Sequence, residues 1–175
     1  MNKMTPWEMQ HKLMEISNQT IPNKYEINNT SILYAALILE EVSELMEGLE
    51  KVLDRDDRSK YDFLFDMVSH SRRFNHEMSL KVREELKALG SFRLPVTKEE
   101  LIELADATTD ITVVNCGFAV ATGIDGDACY QDVAGSNLSK ANPETGVIDK
   151  DPSGKWIKGV NYKEPNLKKV LYPNE

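Results

Sequence analysis

The chain has 175 residues, a formal net charge of −8 and 41% apolar residues. That is enough apolar content for one globular domain with its own core, residues 1–175. The acidic balance excludes a protein that coats nucleic acid, whose footprint is basic, and disfavours anionic membrane surfaces.

Met1-Asn2-Lys3-Met4 leads into a polar amphipathic segment, and no apolar run reaches the 18 residues of a membrane span. The expectation is a soluble cytoplasmic protein. Cys116 and Cys129 each stand in or beside an apolar helical stretch, and their placement predicts buried thiols in a reducing compartment.

In chain order, Thr5-Pro6-Trp7-Glu8 is a helix start, with Thr5 as N-cap, Pro6 at the first position and Glu8 closing a capping box. Trp7, Leu13, Met14 and Ile16 are expected to pack inward. Glu8-x-x-His11 has the form of half a di-iron carboxylate site, but that architecture needs two such motifs, so His11 reads as a surface or packing residue. Residues 18–30 form an Asn-rich loop, and Thr30 or Ser31 caps a long second helix ending near Leu53.

The charged break Asp54-Arg55-Asp56-Asp57-Arg58 opens a segment whose aromatic face (Tyr61, Phe63, Phe65, Phe74) predicts a helix continuing to Leu89 and ending at Gly90. Its His70, Arg72, Arg73 and His76 read as a solvent-facing basic edge in preference to a triphosphate-binding set. Thr97-Lys98-Glu99-Glu100 is a second capping box and starts a helix that closes at Gly123. A further helix starts near Asp125 or Asp127. Beyond Asn142-Pro143-Glu144-Thr145-Gly146, residues 141–175 form a tail of turns with a small hairpin through Val147-Ile148 and Trp156-Ile157.

Two of these helices carry carboxylates in register. At about 100° per residue, Glu40, Glu41 and Glu44 fall within roughly 100° of arc. Glu103, Asp106 and Asp110 fall within roughly 60°, and their line continues as Val113, Val114, Gly117 and Ala121, side chains suited to packing. If the two faces meet, their like charges oppose folding unless a cation lies between them. Oxygen ligands without Cys or His suit Mg²⁺ or Mn²⁺. The alternative, a solvated acidic face, fits Glu44, Glu47 and Glu50 better than it fits Glu103, Asp106 and Asp110.

Glu40-Glu41-x-x-Glu44 followed by Glu103-x-x-Asp106 resembles the signature of the all-α nucleoside triphosphate pyrophosphohydrolases, which include the MazG-like proteins, the dimeric dUTPases and the phosphoribosyl-ATP pyrophosphohydrolases. Ser136-Asn137-Leu138-Ser139-Lys140 is similar to the Asn and Lys that these enzymes place near the nucleotide. The likeness departs in one place. Glu44 and Glu103 are separated by 58 residues, so residues 54–95 read as a helical insertion.

The resemblance implies an all-α fold, a four- to five-helix bundle with an insertion and a short C-terminal hairpin, assembled as a homodimer or homotetramer. It implies Mg²⁺-dependent cleavage of a (d)NTP between its α- and β-phosphates, with a phosphoribosyl-ATP substrate as the alternative. Glu41, Glu44, Glu103 and Asp106 would be the metal ligands and Glu40 the base. Asn137, Lys140, Asp110, Lys158, Asn161 and Tyr162 would contact substrate, although the tail residues among them serve equally well to dock the tail on a neighbouring subunit. Relatives with similar tails suggest a phage-encoded protein acting in host cytoplasm. A non-catalytic helical binding protein is the alternative from another class, and a di-metal oxidase is disfavoured by the missing second Glu-x-x-His.

Overall fold

The computed structural model describes residues 4–22, 25–55, 61–151 and 155–174. In chain order these form α1 (Pro6–Ile16), β1 (Glu26–Asn28), α2 (Asn29–Arg55), α3 (Asp62–Leu89), β2 (Arg93–Pro95), α4 (Lys98–Thr122), α5 (Gly126–Leu138) and α6 (Leu167–Leu171). The protein is all-α with one small antiparallel pair of strands. Part of the charged break, residues 56–58, and the 152–154 turn lie outside the described residues.

The chain divides into a terminal unit, Met1–Asn23 with Thr97–Glu175, and a central unit, Lys24–Val96. The central unit is a helical hairpin. Glu40 on α2 pairs with Arg83 on α3 and Glu50 pairs with Arg72, so the two helices run antiparallel. Their buried positions are small: Ala36 and Ser43 on α2, Ser69 and Ser79 on α3. Small side chains let helix backbones approach closely, and the Ser43 hydroxyl crosses that seam to donate to the Arg72 carbonyl at 3.0 Å.

At the open end of the hairpin β1 and β2 pair, with Ile27 opposite Leu94. The expected loop over 18–30 therefore ends in a strand. Its partner lies more than sixty residues away, beyond the reach of any local signal. Asn29 ties the same end. It donates to the Gly90 carbonyl at 2.6 Å and accepts from the Phe92 amide at 2.9 Å. Gly90 itself sits at φ 73°, a conformation open to glycine and strained for other residues.

The cap of α2 is Asn28, ahead of the expected Thr30 or Ser31. Its Oδ1 accepts from the Thr30 and Ser31 amides, while the Ser31 hydroxyl accepts from the Asn28 amide in return. Ile38 and Val52 of α2 are exposed. The face carrying Ala36 and Ser43 is the one turned to α3.

In the terminal unit both predicted capping boxes form. Glu8 Oε2 accepts from the Thr5 amide at 2.7 Å, and Glu100 Oε2 from the Thr97 amide at 2.8 Å. Trp7, expected inside, is 68% exposed, and Met9 takes its place with Leu13, four residues on along the same face. α1 is tied down at both ends. The Tyr130 hydroxyl donates to the Pro6 carbonyl, and the Ile148 amide donates to the Ile16 carbonyl.

Gly123, in the left-handed conformation, ends α4 as predicted, and Asp125 caps α5 through the Ala128 amide. The two helices meet at a sharp bend of 115°. Among the described residues no single helix is long and apolar enough to cross a membrane.

Two features of α4 differ from expectation. None of its residues is buried, so the acidic line does not run into a core, and Val113 and Val114 are exposed together with Cys116. Its threonines are satisfied internally: Thr108, Thr109 and Thr112 each donate to the carbonyl four residues back.

In the segment expected to form a small hairpin, the described residues make one antiparallel bridge, Lys150 to Trp156. The tail then adds the short helix α6, which local periodicity did not reveal. Asn166 caps α6 and its own amide donates to Asp132 on α5.

Candidate active site

α2 carries five glutamates, and the structure sorts them. Glu40 is half-buried and held by Arg83, Glu50 by Arg72 at 2.6 Å, and Glu47 by Lys51 one turn on at 2.6 Å. Glu41 and Glu44 have no cationic partner among the described residues. Both are exposed and stand three residues apart on one face. Partial desolvation pushes the Glu41 carboxyl above the usual carboxylate range, and the like charge of Glu44 pushes it in the same direction.

Along α4, Glu103, Asp106 and Asp110 occupy one line, all exposed and free of ion pairs with described residues. The two halves of the sequence-predicted ligand set therefore lie on different units, Glu41 and Glu44 on the central one and Glu103 and Asp106 on the terminal one. Among the described residues no three His, Cys, Asp or Glu side chains gather closely enough to hold a metal ion by themselves. What the donors do offer is chemistry: hard oxygen ligands left without a counter-charge on a chain that neutralises their neighbours.

Asn137 and Lys140, expected to share a face near the end of α5, do meet. The Lys140 ammonium donates to Asn137 Oδ1 at 2.8 Å. The tail folds back over them within its own chain. The Lys163 amide donates to the Ser139 hydroxyl at 2.8 Å, and Gly159 comes so close to the Lys140 carbonyl that an added Cβ would lie 3.1 Å from that oxygen. Tyr162 and Lys158 arrive at Lys140 by this path, while Asn161 stays exposed. His11 is a surface residue beside Glu15, as expected.

Two residues near these groups were not singled out from the sequence. Arg83 escaped because its partner is 43 residues away; the available signal was its spacing from Arg72, eleven residues or about three turns, which puts both on one face. Trp156 was read only as part of a hairpin, yet its ring lies under the Lys140 ammonium.

Residues 8–137 match the sequence profile of the family described as Phosphoribosyl-ATP pyrophosphohydrolase. The chain belongs to the phosphoribosyl-ATP pyrophosphohydrolase family. No curated protein and no solved structure matches it. The matched region spans α2 and α4 with all their carboxylates and ends at Asn137, so the tail of this family member lies beyond it. Membership in the phosphoribosyl-ATP pyrophosphohydrolase family makes the protein an enzyme, a hydrolase acting on phosphoric anhydrides.

Proposed function

We propose that the protein hydrolyses the α–β phosphoanhydride bond of a nucleoside triphosphate, with phosphoribosyl-ATP as the substrate favoured over a free (d)NTP. The family match carries this preference, since it favours the phosphoribosyl-ATP alternative over the broader (d)NTP reading that the motif alone suggests. The carboxylates support the reaction type.

Glu41, Glu44, Glu103 and Asp106 would hold Mg²⁺ or Mn²⁺, and the bound ion would supply charge neutralisation for the phosphates. Partial desolvation and, second to it, the Glu44 charge raise the Glu41 pKa, and a bound cation would offset both. Glu40 would orient the attacking water. Arg83 takes its Oε2 and so fixes the carboxylate, leaving Oε1 to accept from that water. Asn137 and Lys140 would position the substrate's phosphates or sugar, with Asp110, Lys158, Asn161 and Tyr162 as further contacts.

Assembly as a homodimer or homotetramer is part of the same proposal. The exposed Ile111, Val113, Val114 and Val120 support it, since side chains of this kind are more often covered than left in water.

The test is a substrate panel with Mg²⁺ or Mn²⁺: phosphoribosyl-ATP and each common NTP and dNTP, with products separated. Phosphoribosyl-AMP plus pyrophosphate, formed faster than any other monophosphate, is the expected result. Faster turnover of one (d)NTP would reassign the substrate, and no turnover of any would reject the proposal.

A further inference from the structure

The inserted helix α3 leaves a row of large side chains outside its hairpin. Toward α2 it turns Arg72 and Arg83 and buries Ser69 and Ser79. On the opposite side of the same helix Phe63, Met67 and Phe74 are each more than half exposed, and His70 is exposed between them. At about 100° per residue these four fall within roughly 60° of arc. Burying serines while two phenylalanines stay in water reverses the ordinary division of side chains, and a contiguous patch of this kind marks an interaction site.

The spacing of the row says what covers it. Phe63, Met67, His70 and Phe74 are separated by four, three and four residues, the alternation of a coiled-coil seam. The row reads the same in both directions, because Phe63 and Phe74 stand equally far from its middle, as do Met67 and His70. A second copy laid antiparallel across it about a two-fold axis sets Phe63 of one copy against Phe74 of the other, and Met67 against His70, twice over. The flank matches in charge. Asp66 and Arg73, seven residues apart along one side of the row, are exposed and free of ion pairs with described residues. The same two-fold axis brings Asp66 of each copy beside Arg73 of the other. Beyond Phe74 the line continues as Glu77 and Lys81, which pair with each other at 2.6 Å, so the apolar contact ends there.

We propose that the outer face of α3 is a self-association surface, joining two copies of this chain through an antiparallel α3–α3 pair. Phenyl rings packed together and methionine against imidazole supply the attraction. The pairs of Asp66 with Arg73 set the direction, since a parallel arrangement leaves both residues unpaired. From Phe63 to Phe74 the contact spans about 17 Å of helix at 1.5 Å per residue, small for an interface, so the association depends on concentration. It lies on the inserted helix and leaves the exposed valines of α4 free, so it stands apart from the reaction and from assembly through α4.

The experiment is analytical ultracentrifugation of the full chain over a range of concentrations, with the flank charges exchanged. Asp66 and Arg73 are exposed, which keeps Asp66→Arg and Arg73→Asp folded, and melting of each variant checks it. The two-fold axis makes every substitution act twice, and each of these is expected to weaken association about tenfold or more. In an equimolar mixture the two variants carry opposite charges on that flank, and association returns to wild-type strength; the double variant Asp66→Arg/Arg73→Asp regains it alone. Phe74→Ser weakens association and is rescued by neither. A wild type still monomeric at millimolar concentration, association indifferent to these substitutions, or weakening that the mixture does not rescue would overturn the proposal. So would a lower melting midpoint in Phe74→Ser at unchanged mass, which would assign the row to another segment of the same chain.

Discussion

α2 and α4 are helices of 27 and 25 residues, each carrying acidic residues in its middle, but their surroundings differ. α2 has a partner helix that reaches across with Arg72 and Arg83 and packs through Ala36, Ser43, Ser69 and Ser79. α4 has no buried residue, and its threonines bond only to its own backbone. The comparison teaches what the inserted segment does. α3 neutralises Glu40 and Glu50, and in doing so separates partnered carboxylates from those left open on the same helix. Among the described residues no cation reaches α4 in this way, and Glu103, Asp106 and Asp110 remain open.

The sharpest way to exploit this difference is to alter open and partnered carboxylates in parallel. Glu41→Gln and Glu103→Gln should each lower turnover by orders of magnitude while leaving the thermal midpoint within a few degrees of wild type, as kinetics and melting of the same preparations would show. Full activity in Glu103→Gln would remove that residue from the site.

Arg83→Met tests the partnered side. It strands a half-buried Glu40, and the expected cost is about 1–2 kcal/mol, between that of a surface pair and that of a fully buried one. Urea denaturation reads it directly, and an unchanged midpoint would mean that the pair holds nothing together.

Packing offers a comparison of similar size. Ala36→Leu forces bulk into the α2–α3 seam and should destabilise by about 1–3 kcal/mol. Val114→Ser on exposed α4 should stay within about 0.5 kcal/mol in the isolated chain. A large loss at Val114 would show that α4 is covered in solution.

The smallest effects are in pH dependence, where the two helices differ in sign. The Glu100 carboxyl is held below the usual range by the Thr97 amide and hydroxyl. Its stabilisation is present above the unfolded pKa of about 4.5 and is lost as pH falls through the lowered value. Glu41 is raised, so the folded state binds the extra proton, and stability declines as pH rises from about 4.5 through the raised value. Urea midpoints between pH 3 and 6 for Glu100→Gln and Glu41→Gln should each lose one of these opposite slopes.

Much of the fold was legible because its signals are local. Thr5 with Glu8, Thr97 with Glu100, and Gly123 each mark a helix end through bonds spanning three or four residues, and Gly90 marks one through its positive φ. The rest depends on distant partners. β1 is three residues long and pairs with a strand on the far side of the hairpin, so no alternation could reveal it. The α2–α3 seam is built from alanine and serine, Ala36, Ser43, Ser69 and Ser79, which carry no apolar periodicity to mark it. At the candidate site, the grouping of Glu41 with Glu44 and of Glu103 with Asp106 and Asp110 on one helix face, and the meeting of Asn137 with Lys140, could be read from spacing, whereas the exposure of the α4 carboxylates could not. The roles of Arg83 and Trp156 could not, since each depends on the chain returning to a helix it left long before.

The central claim is attack of water on the α-phosphorus, and hydrolysis in oxygen-18-labelled water tests it most directly. With phosphoribosyl-ATP and Mg²⁺, the account predicts one labelled oxygen in the monophosphate product and none in the pyrophosphate. Label in the pyrophosphate, or release of orthophosphate in place of pyrophosphate, would contradict it.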